Sequence, residues 1–498
     1  MAQKTSSKKK AVTKRRPPKA AAKVTRAVSA LAGVLVVNMI PKSLSGETNQ
    51  DSEPMLAVNP TNPKHIVGTA FTPDPMGGAQ APIFVSTDGG NTWALHATVP
   101  GGDMTGDISV AFSGTADKLF AGILRQDAPP NKTRMAILRA NDFSSLAAMN
   151  VLDDRLDPDQ PFTQAVTVAA GPDAGKECVL IGNNDFAAAP QTATLDISAH
   201  AGAASPIFKK IRLEKRSTST AGQNGPQVRP IAHSNGTLYA AFYGWRSMSG
   251  NWEGNTLKVT ADVVVVRDDS WASGATPFEA LKDPGDGLAG RLVAKHVKFA
   301  FNRNGIPVNG QQRLGGTLSI AVDPRNSSTV YLAWGDDSPQ TGFMIHVRRS
   351  TDKGVNWSPA DLLAVPKATN AAIAINADGV VGLLYQQLTG VGAARRWVTH
   401  FRRTNDGQQW SDLVLAKTPA NFPAATFDPY LGDYDHLLAA GKDFYGIFSA
   451  SNAPNQANFP SGVKFQRNAN FTTNTLLGID NTTPVNVSID PFFFKVNG

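Results

Sequence analysis

One two-strand unit recurs along this chain, and the repetition constrains the fold more than any other feature. In each copy, an apolar run leads into a turn rich in Asn, Asp, Gly or Pro, and a second apolar run follows. The clearest copies, 55–71 and 318–334, both turn at an Asn-Pro or Asp-Pro dipeptide, which suits chain reversal. We count seven copies, at 55–71, 108–124, 165–181, 228–245, 318–334, 371–385 and 437–449.

Most copies are followed by a third strand-like segment, such as 263–267 or 345–349, and by a weaker fourth. Four antiparallel strands per unit are typical of a propeller blade, and a single blade cannot bury both of its faces. The sequence therefore predicts an all-β fold, a β-propeller of four-stranded antiparallel blades. We predict seven blades, with six as the alternative, and an insertion near 270–315, where the gap between copies is longest.

The amino-terminal region differs from the rest of the chain. Residues 1–26 contain ten Lys or Arg and no acidic residue, so the remaining chain is close to neutral although the formal net charge is +8. We predict a disordered tail there whose charge suits contact with polyanions, and a propeller over 46–498. The apolar segment 27–45 is either the first strand or the core of a secretory signal, and it is too short to cross a bilayer. The signal interpretation favours a secreted or extracellular location.

A distinctive turn follows three of the third strands. It reads Ser-Thr-Asp-Gly-Gly-Asn-Thr-Trp at 86–93, Ser-Thr-Asp-Lys-Gly-Val-Asn-Trp at 350–357, and a shorter version at 404–410. The Asp carboxylate can accept backbone N–H bonds inside its own turn, and the Gly adopts backbone angles that other residues avoid. The Trp offers a large apolar face for packing.

This turn resembles the Asp-box, or bacterial neuraminidase repeat, of sialidase-like propellers. The resemblance implies a structural role for Ser86, Asp88, Gly90, Trp93, Ser350, Asp352, Gly354, Trp357, Asp406 and Trp410. In that family the Asp-box turns lie on the face of the ring opposite the ligand site.

Strand direction then indicates where a ligand would bind. Turns after the first and third strands of a blade share one face, because neighbouring strands are antiparallel. Loops before the first strands and after the second strands share the other face. The polar residues on that second face are Asp51, Glu53, Asp74, Asp107, Arg125, Asp127, Asp159, Gln160, Asp185, Arg229, Trp245, Arg246, Arg313, Asp336, Asp337, Asn370, Gln386, Asp428, Tyr430 and Asp433.

The resemblance also implies roles for some of these residues. Sialidases bind the sugar carboxylate with three Arg, attack with a Tyr beside a Glu, and use an Asp as acid and base. By position, Asp74 corresponds to the acid, Tyr430 to the nucleophile with Tyr434 as the alternative, and Glu53 to the catalytic Glu. The substrate-binding candidates are Arg229, Arg313, Arg125 and Arg246.

Two features depart from the family pattern. Sialidases typically open with aromatic-Arg-Ile-Pro, whereas this chain has Asn-Met-Ile-Pro with Met39 in the Arg position. Seven blades instead of six would be the second departure. Both lower the expectation of true sialidase activity.

The sequence thus leaves two functions open. One is a sialidase-like glycoside hydrolase, in its most specific form an exo-α-sialidase. The other is a non-catalytic propeller that binds a glycan or a protein. We expect a glycan or another anionic ligand at the centre, and neither metal nor cofactor, because His-x-x-x-His and Cys-x-x-Cys spacings are absent from the sequence. The oligomeric state is not predicted.

Overall fold

The computed structural model describes most of the chain after residue 32. The described residues are 1, 33–71, 82–96, 105–114, 117–125, 132–170, 173–188, 190–216, 225–251, 254–301, 313–338, 340, 342–424 and 430–498. The predicted basic tail, apart from Met1, lies outside them, and so does Asp74. In the described part of the chain, no helix is both long and apolar enough to span a membrane.

The strands form seven blades around one axis. The first strand of the chain, β1 (Val34–Asn38), belongs to the last blade. Six blades use consecutive strands, hydrogen-bonded in chain order. Blade 1 contains β2 (Ser52–Val58), β3 (Ile66–Phe71), β4 (Ile83–Ser86) and β5 (Ala94–His96). Blade 2 contains β6 (Thr105–Phe112), β7 (Leu119–Arg125), β8 (Arg134–Ala140) and β9 (Asn150–Leu156). Blade 3 contains β10 (Pro158–Thr167), β11 (Glu177–Asp185), β12 (Thr192–Ser198) and β13 (Lys209–Arg212).

The next three blades repeat the arrangement. Blade 4 contains β14 (Arg229–Ala232), β15 (Leu238–Ser249), β16 (Lys258–Asp268) and β17 (Arg291–Ala300). Blade 5 contains β18 (Leu318–Asp323), β19 (Asn326–Ser338), β20 (Gly342–Ser350) and β21 (Leu363–Pro366). Blade 6 contains β22 (Ala368–Ile375), β23 (Val381–Thr389), β24 (Arg396–Thr404) and β25 (Ser411–Pro419). The segment 270–315 therefore includes the outer strand of blade 4.

The seventh blade joins the two ends of the chain. Its strands are β26 (His436–Ala440), β27 (Asp443–Ser451), β32 (Ile489–Val496) and β1, with the short β28 (Lys464–Phe465) at the edge. β1 pairs antiparallel with β32, from Val34 opposite Val496 to Asn38 opposite Phe492. Val37 and Phe493 are fully buried in this blade. The count confirms the prediction of seven blades, and a strand occupies part of the segment 27–45.

The chain between β27 and β32 carries the remaining small elements. Three short strands, β29 (Ala469–Asn470), β30 (Thr475–Leu477) and β31 (Pro484–Val485), form a separate sheet. The 3-10 helices are η1 (Lys42–Leu44), η2 (Gly392–Ala394) and η3 (Gln456–Asn458).

The turn at 86–93 makes the hydrogen bonds expected from its sequence. Asp88 accepts bonds from the Ser86 hydroxyl at 2.9 Å and from the Thr92 backbone N–H at 2.9 Å. The Gly90 N–H donates to the Ser86 hydroxyl at 2.9 Å, and the Trp93 indole N–H donates to the Gly90 carbonyl at 3.1 Å. Hydrogen bonds from Thr92 and Ser86 lower the pKa of Asp88, although its partial burial opposes this. The turn is thus closed by its own hydrogen bonds, and the Gly89 N–H ties it to the Lys64 carbonyl of the neighbouring turn at 3.0 Å.

The turn at 350–357 has the same geometry with a different residue in the Thr position. Asn356 donates to Asp352 from its backbone and from its amide, both at 2.8 Å, as Thr92 does in the first turn. Trp93 is 4% exposed and contacts Phe493, whereas Trp357 is only half-buried. Two similar turns therefore make unequal contributions to packing.

Candidate functional site

The first strands of the blades begin on the face opposite these turns, because β4 and β20, which precede the turns, run parallel to β2 and β18. Several first strands are irregular at that end. Glu53, Gln160 and Asn370 have φ angles of 50°, 55° and 55°, and the pairing of each strand with its neighbour shifts there. Such bulges turn side chains out of the regular alternation of a strand. Here they supply polar groups to the centre of the ring.

Six side chains form what we call the axial cluster: Glu53, Asp107, Asp159, Arg313, Asp433 and Tyr434. Arg313 is its one guanidinium. It forms an ion pair with Asp433, and its backbone N–H donates to the same carboxylate at 3.2 Å. The backbone N–H of Asp433 in turn donates to Glu53 at 3.0 Å. Both Arg313 and Asp433 are buried, so this pair is shielded from solvent.

A tyrosine–carboxylate pair forms the other half of the axial cluster. The Tyr434 hydroxyl donates to Asp107 at 2.5 Å, and both residues are buried. Burial, together with the charge of Asp107, raises the pKa of Tyr434 well above its usual value. Burial and the nearby Asp159 raise the pKa of Asp107 to about 6, in spite of the hydrogen bond from Tyr434.

The carboxyl groups of the axial cluster therefore differ in how readily they ionise. Burial and the charges of Asp433 and Asp107 raise the pKa of Glu53 well above the ordinary range. Burial also raises the pKa of Asp159, but Arg313 opposes this rise. Asp159 is half-buried, while the other acids of the cluster are buried. Burial would lower the pKa of Arg313, yet the surrounding carboxylates raise it.

The structure brings Glu53 and Arg313 together, as well as the alternative tyrosine, Tyr434. It places Tyr430 elsewhere: the Tyr430 hydroxyl donates to the Pro423 carbonyl at 3.0 Å, and its ring packs with Trp397 and Ile489. Asp74 lies outside the described residues.

The other three arginines stand apart from the Arg313–Asp433 pair. Arg246 pairs with Glu214 at 3.0 Å and Asp262 at 2.7 Å. Arg125 ends β7 and is buried beside the start of β6. Arg229 lies with its guanidinium carbon 4.1 Å from the centre of the Phe162 ring and 5.4 Å from that of Tyr434.

The sequence placed Asp107, Asp159 and Asp433 on the right face but did not single them out. For Asp107 and Asp159 the available sequence signal was their position in the repeat. Like Ser52-Glu53, the segments Thr105-Gly106-Asp107 and Asp159-Gln160 lie just before the regular part of a first strand. Comparing how far each polar residue lies before its first strand, from one repeat to the next, identifies the residues that reach the axis.

One group of acids away from the axial cluster has ligand-like spacing for a metal. One carboxylate oxygen each from Glu47, Asp51 and Asp490 lies within 4.8 Å of the others. Arg467, which is fully buried, contacts Asp490 at 2.9 Å and Glu47 at 3.6 Å. Asp490 also accepts bonds from the amides of Asn38 and Asn452. Arg467 supplies one positive charge inside this group, and the two amides occupy acceptor positions of Asp490, so the group fits a cation poorly.

The fold and the site define a seven-bladed β-propeller with an acidic, tyrosine-containing centre. No protein-family model matches the chain, and no curated protein matches it. The chain is similar to an α-L-arabinanase of Penicillium chrysogenum solved with arabinobiose, with a TM-score of 0.39 and 10% identity over 92% of this chain and 97% of that one. It is similar to Sqt1 of Chaetomium thermophilum bound to the N-terminus of ribosomal protein L10, with a TM-score of 0.40 and 10% identity over 93% and 99%.

A third similar structure is a sialidase of Trypanosoma rangeli, with a TM-score of 0.35, 10% identity, and coverage of 93% of this chain and 59% of that one. Similarity at this level assigns no activity to the chain.

Proposed function

We propose that the chain is a glycan-acting hydrolase and that the axial cluster is its active centre. The observation that supports this most is the unequal ionisation of neighbouring carboxyl groups. The pKa of Glu53 is raised well above its ordinary value by burial and by the charges of Asp433 and Asp107, while that of Asp107, which accepts the Tyr434 hydroxyl, is about 6. Carboxyl groups whose pKa values are driven apart by their surroundings are the usual acid and base of a glycosidase.

In this proposal Glu53 donates its proton to the glycosidic oxygen of the departing sugar. Asp159, the half-buried carboxylate, faces the positive charge that develops at the anomeric carbon. Asp107, once it is ionised, accepts a proton from the water whose oxygen bonds to the anomeric carbon as the bond to the departing sugar breaks, and Tyr434 orients Asp107 through its hydrogen bond. Arg313 holds Asp433 in place and limits the repulsion among the acids.

Exo-α-sialidase activity is the most specific form of the hypothesis. It requires several unpaired guanidinium groups that can bind a sugar carboxylate. Arg313 is paired with Asp433 and Arg246 is paired with two acids, so Arg229 alone cannot form a cluster of three arginines. The ionised carboxylates of the axial cluster would also repel an anionic sugar. We therefore propose a neutral glycan as the substrate. Membership of the Asp-box family is part of the proposal, supported by the hydrogen bonding of the turns at 86–93 and 350–357.

A panel of fluorogenic glycosides tests this function, with neutral furanosides and pyranosides beside an α-sialoside. The key variant is Glu53→Gln, because a glutamine keeps the shape and neutrality of a protonated glutamate and can still accept the bond from Asp433. We expect hydrolysis of a neutral glycoside to fall at least about 100-fold in this variant, the range for losing a general acid. Glu279→Gln, at a half-buried ion pair with Lys215, is the matched control.

The non-catalytic alternative has its own supporting observation. Most acids of the axial cluster are buried and accept hydrogen bonds from other members of the cluster, as in a purely structural network. Glycan binding without hydrolysis of any glycoside in the panel would favour that alternative. Hydrolysis of the sialoside alone would contradict the neutral-glycan proposal.

A further inference from the structure

A cavity of about 270 Å³ lies along the ring axis, lined by the first strands of the blades. Most of the side chains that line it are apolar and include Val58, Val110, Phe112, Ile320, Ile373 and Leu438, with backbone groups and a few polar side chains between them. Pro60, which is exposed in the turn after β2, also lines the cavity. The cavity therefore reaches the face that carries the turns at 86–93 and 350–357, which is opposite the face where the axial cluster lies.

Arg229 lines the inner end of this cavity, where β14 begins. Its guanidinium lies over the ring of Phe162, and the side chain is buried. Among the residues that the structure describes, the guanidinium of Arg229 forms neither an ion pair nor a hydrogen bond, and its Nε is fully buried without a partner. In this respect it differs from Arg313 and Arg246, which are both paired with acids.

A buried guanidinium without a paired anion is costly, because its charge is removed from water and contact with an aromatic face recovers only part of that cost. Burial accordingly lowers the pKa of Arg229 to about 9, although the nearby Tyr434 and Asp107 oppose this shift in part. The neighbouring His436 is held neutral, because burial and Arg229 lower its pKa to about 3. His436 Nδ1 accepts a bond from the Leu56 N–H, so the proton of the ring is on Nε2.

We infer that this cavity binds a monocarboxylate with an apolar tail, its carboxylate on Arg229 and its tail directed along the axis. A carboxylate matches the fork of N–H donors on a guanidinium and would give Arg229 the directly paired anion that Arg313 and Arg246 already have. The apolar walls then favour a hydrocarbon chain over a second polar group.

The volume limits the size of the ligand. An apolar cavity of about 150 Å³ binds benzene, so a cavity nearly twice as large takes roughly ten non-hydrogen atoms. Octanoate has this size and is the probe of choice. Acetate lacks the tail, and octanamide keeps the tail but lacks the charge.

Isothermal titration calorimetry of the full chain with these three compounds tests the inference. We expect octanoate to bind with 1:1 stoichiometry and at least tenfold more tightly than acetate or octanamide. Arg229→Gln should weaken octanoate at least tenfold and change octanamide little. Arg325→Gln removes the same charge at the surface, where Arg325 pairs with Asp323, and should bind octanoate as the wild type does.

A second variant keeps the test decisive if Arg229→Gln fails to fold. Ala111 lines the cavity, and Ala111→Leu narrows it while leaving Arg229 in place. This variant should weaken octanoate and leave acetate unchanged. The inference is overturned if octanoate does not bind below its micelle concentration, if acetate binds as tightly as octanoate, or if octanoate binds a folded Arg229→Gln variant as tightly as the wild type.

Discussion

Replacing Trp93 by alanine should be among the most destabilising single changes outside the axial cluster. The side chain is 4% exposed, and its ring centre is 5.3 Å from that of Phe493 in β32. Trp93 therefore ties the first blade to the seventh, where strands from both ends of the chain close the ring. Its loss weakens the closure as well as one turn.

The magnitude follows from the buried area. An aromatic side chain of this size buries about 150–250 Å². At about 25 cal/mol per Å², this corresponds to about 4–6 kcal/mol. Residual burial in the unfolded chain reduces such a figure by roughly 10–40%. The alanine variant should thus lose about 3–5 kcal/mol, the range measured for large-to-small aromatic changes.

Trp357→Ala is the matched comparison. It removes the same indole–carbonyl bond, at 3.0 Å instead of 3.1 Å, from a turn of the same geometry. Trp357 is half-buried, so we expect the loss to be about half as large. Guanidinium unfolding followed by far-UV circular dichroism measures both variants. Equal losses, or an unchanged midpoint for Trp93→Ala, would refute the assignment of Trp93 to ring closure.

Three further predictions concern stability. Burial would lower the pKa of His346, but its contacts with Asp336 and Asp361 raise it to about 9. The protonated ring therefore stabilises the fold fully below pH ~6.5, and this contribution, at most about 3 kcal/mol, disappears as the pH rises through about 9. His346→Gln should accordingly unfold more easily than the wild type at pH 6 and like it near pH 10; a constant difference across that range would argue against the assignment. Gly90→Ala should destabilise, since Gly90 has a φ of 87° and an added Cβ would overlap a phenylalanine ring of β32; an unchanged melting temperature would contradict this. Deleting residues 2–26 should leave the melting temperature unchanged, because this segment has few apolar residues to bury, and a large fall in scanning calorimetry would contradict it.

Much of the fold could be predicted from the sequence because a propeller repeats its unit. Each blade must alternate apolar runs with tight turns, so the blade count could be read from the seven copies. The turn at 350–357 was also recognisable, since Asn356 can make the bonds of a Thr in that position. The make-up of blade 7 was not predictable in the same way, because β1 and β32 are separated by nearly the whole chain.

The site could be predicted only as a face of the ring. Strand direction places Glu53 and Arg313 on the same side whatever the blade count, and they do lie together. Which acid neutralises which arginine depends on side-chain directions at the bulges of the first strands, and no local pattern encodes these directions. Arg313 and Arg229 illustrate this, since one is paired with Asp433 while the other faces an apolar cavity.

The pH profile of hydrolysis tests the central claim most directly. Once a neutral glycoside that the chain cleaves has been found, kcat/KM should be measured from pH 4 to pH 10 for the wild type and for Glu53→Gln. We predict that activity rises with a midpoint near pH 6 as Asp107 loses its proton, and falls at higher pH as Glu53 does. In Glu53→Gln the residual activity should lack the falling limb. A wild-type profile without the rise near pH 6, or full activity in Glu53→Gln, would contradict the assignment of the axial cluster as the active centre.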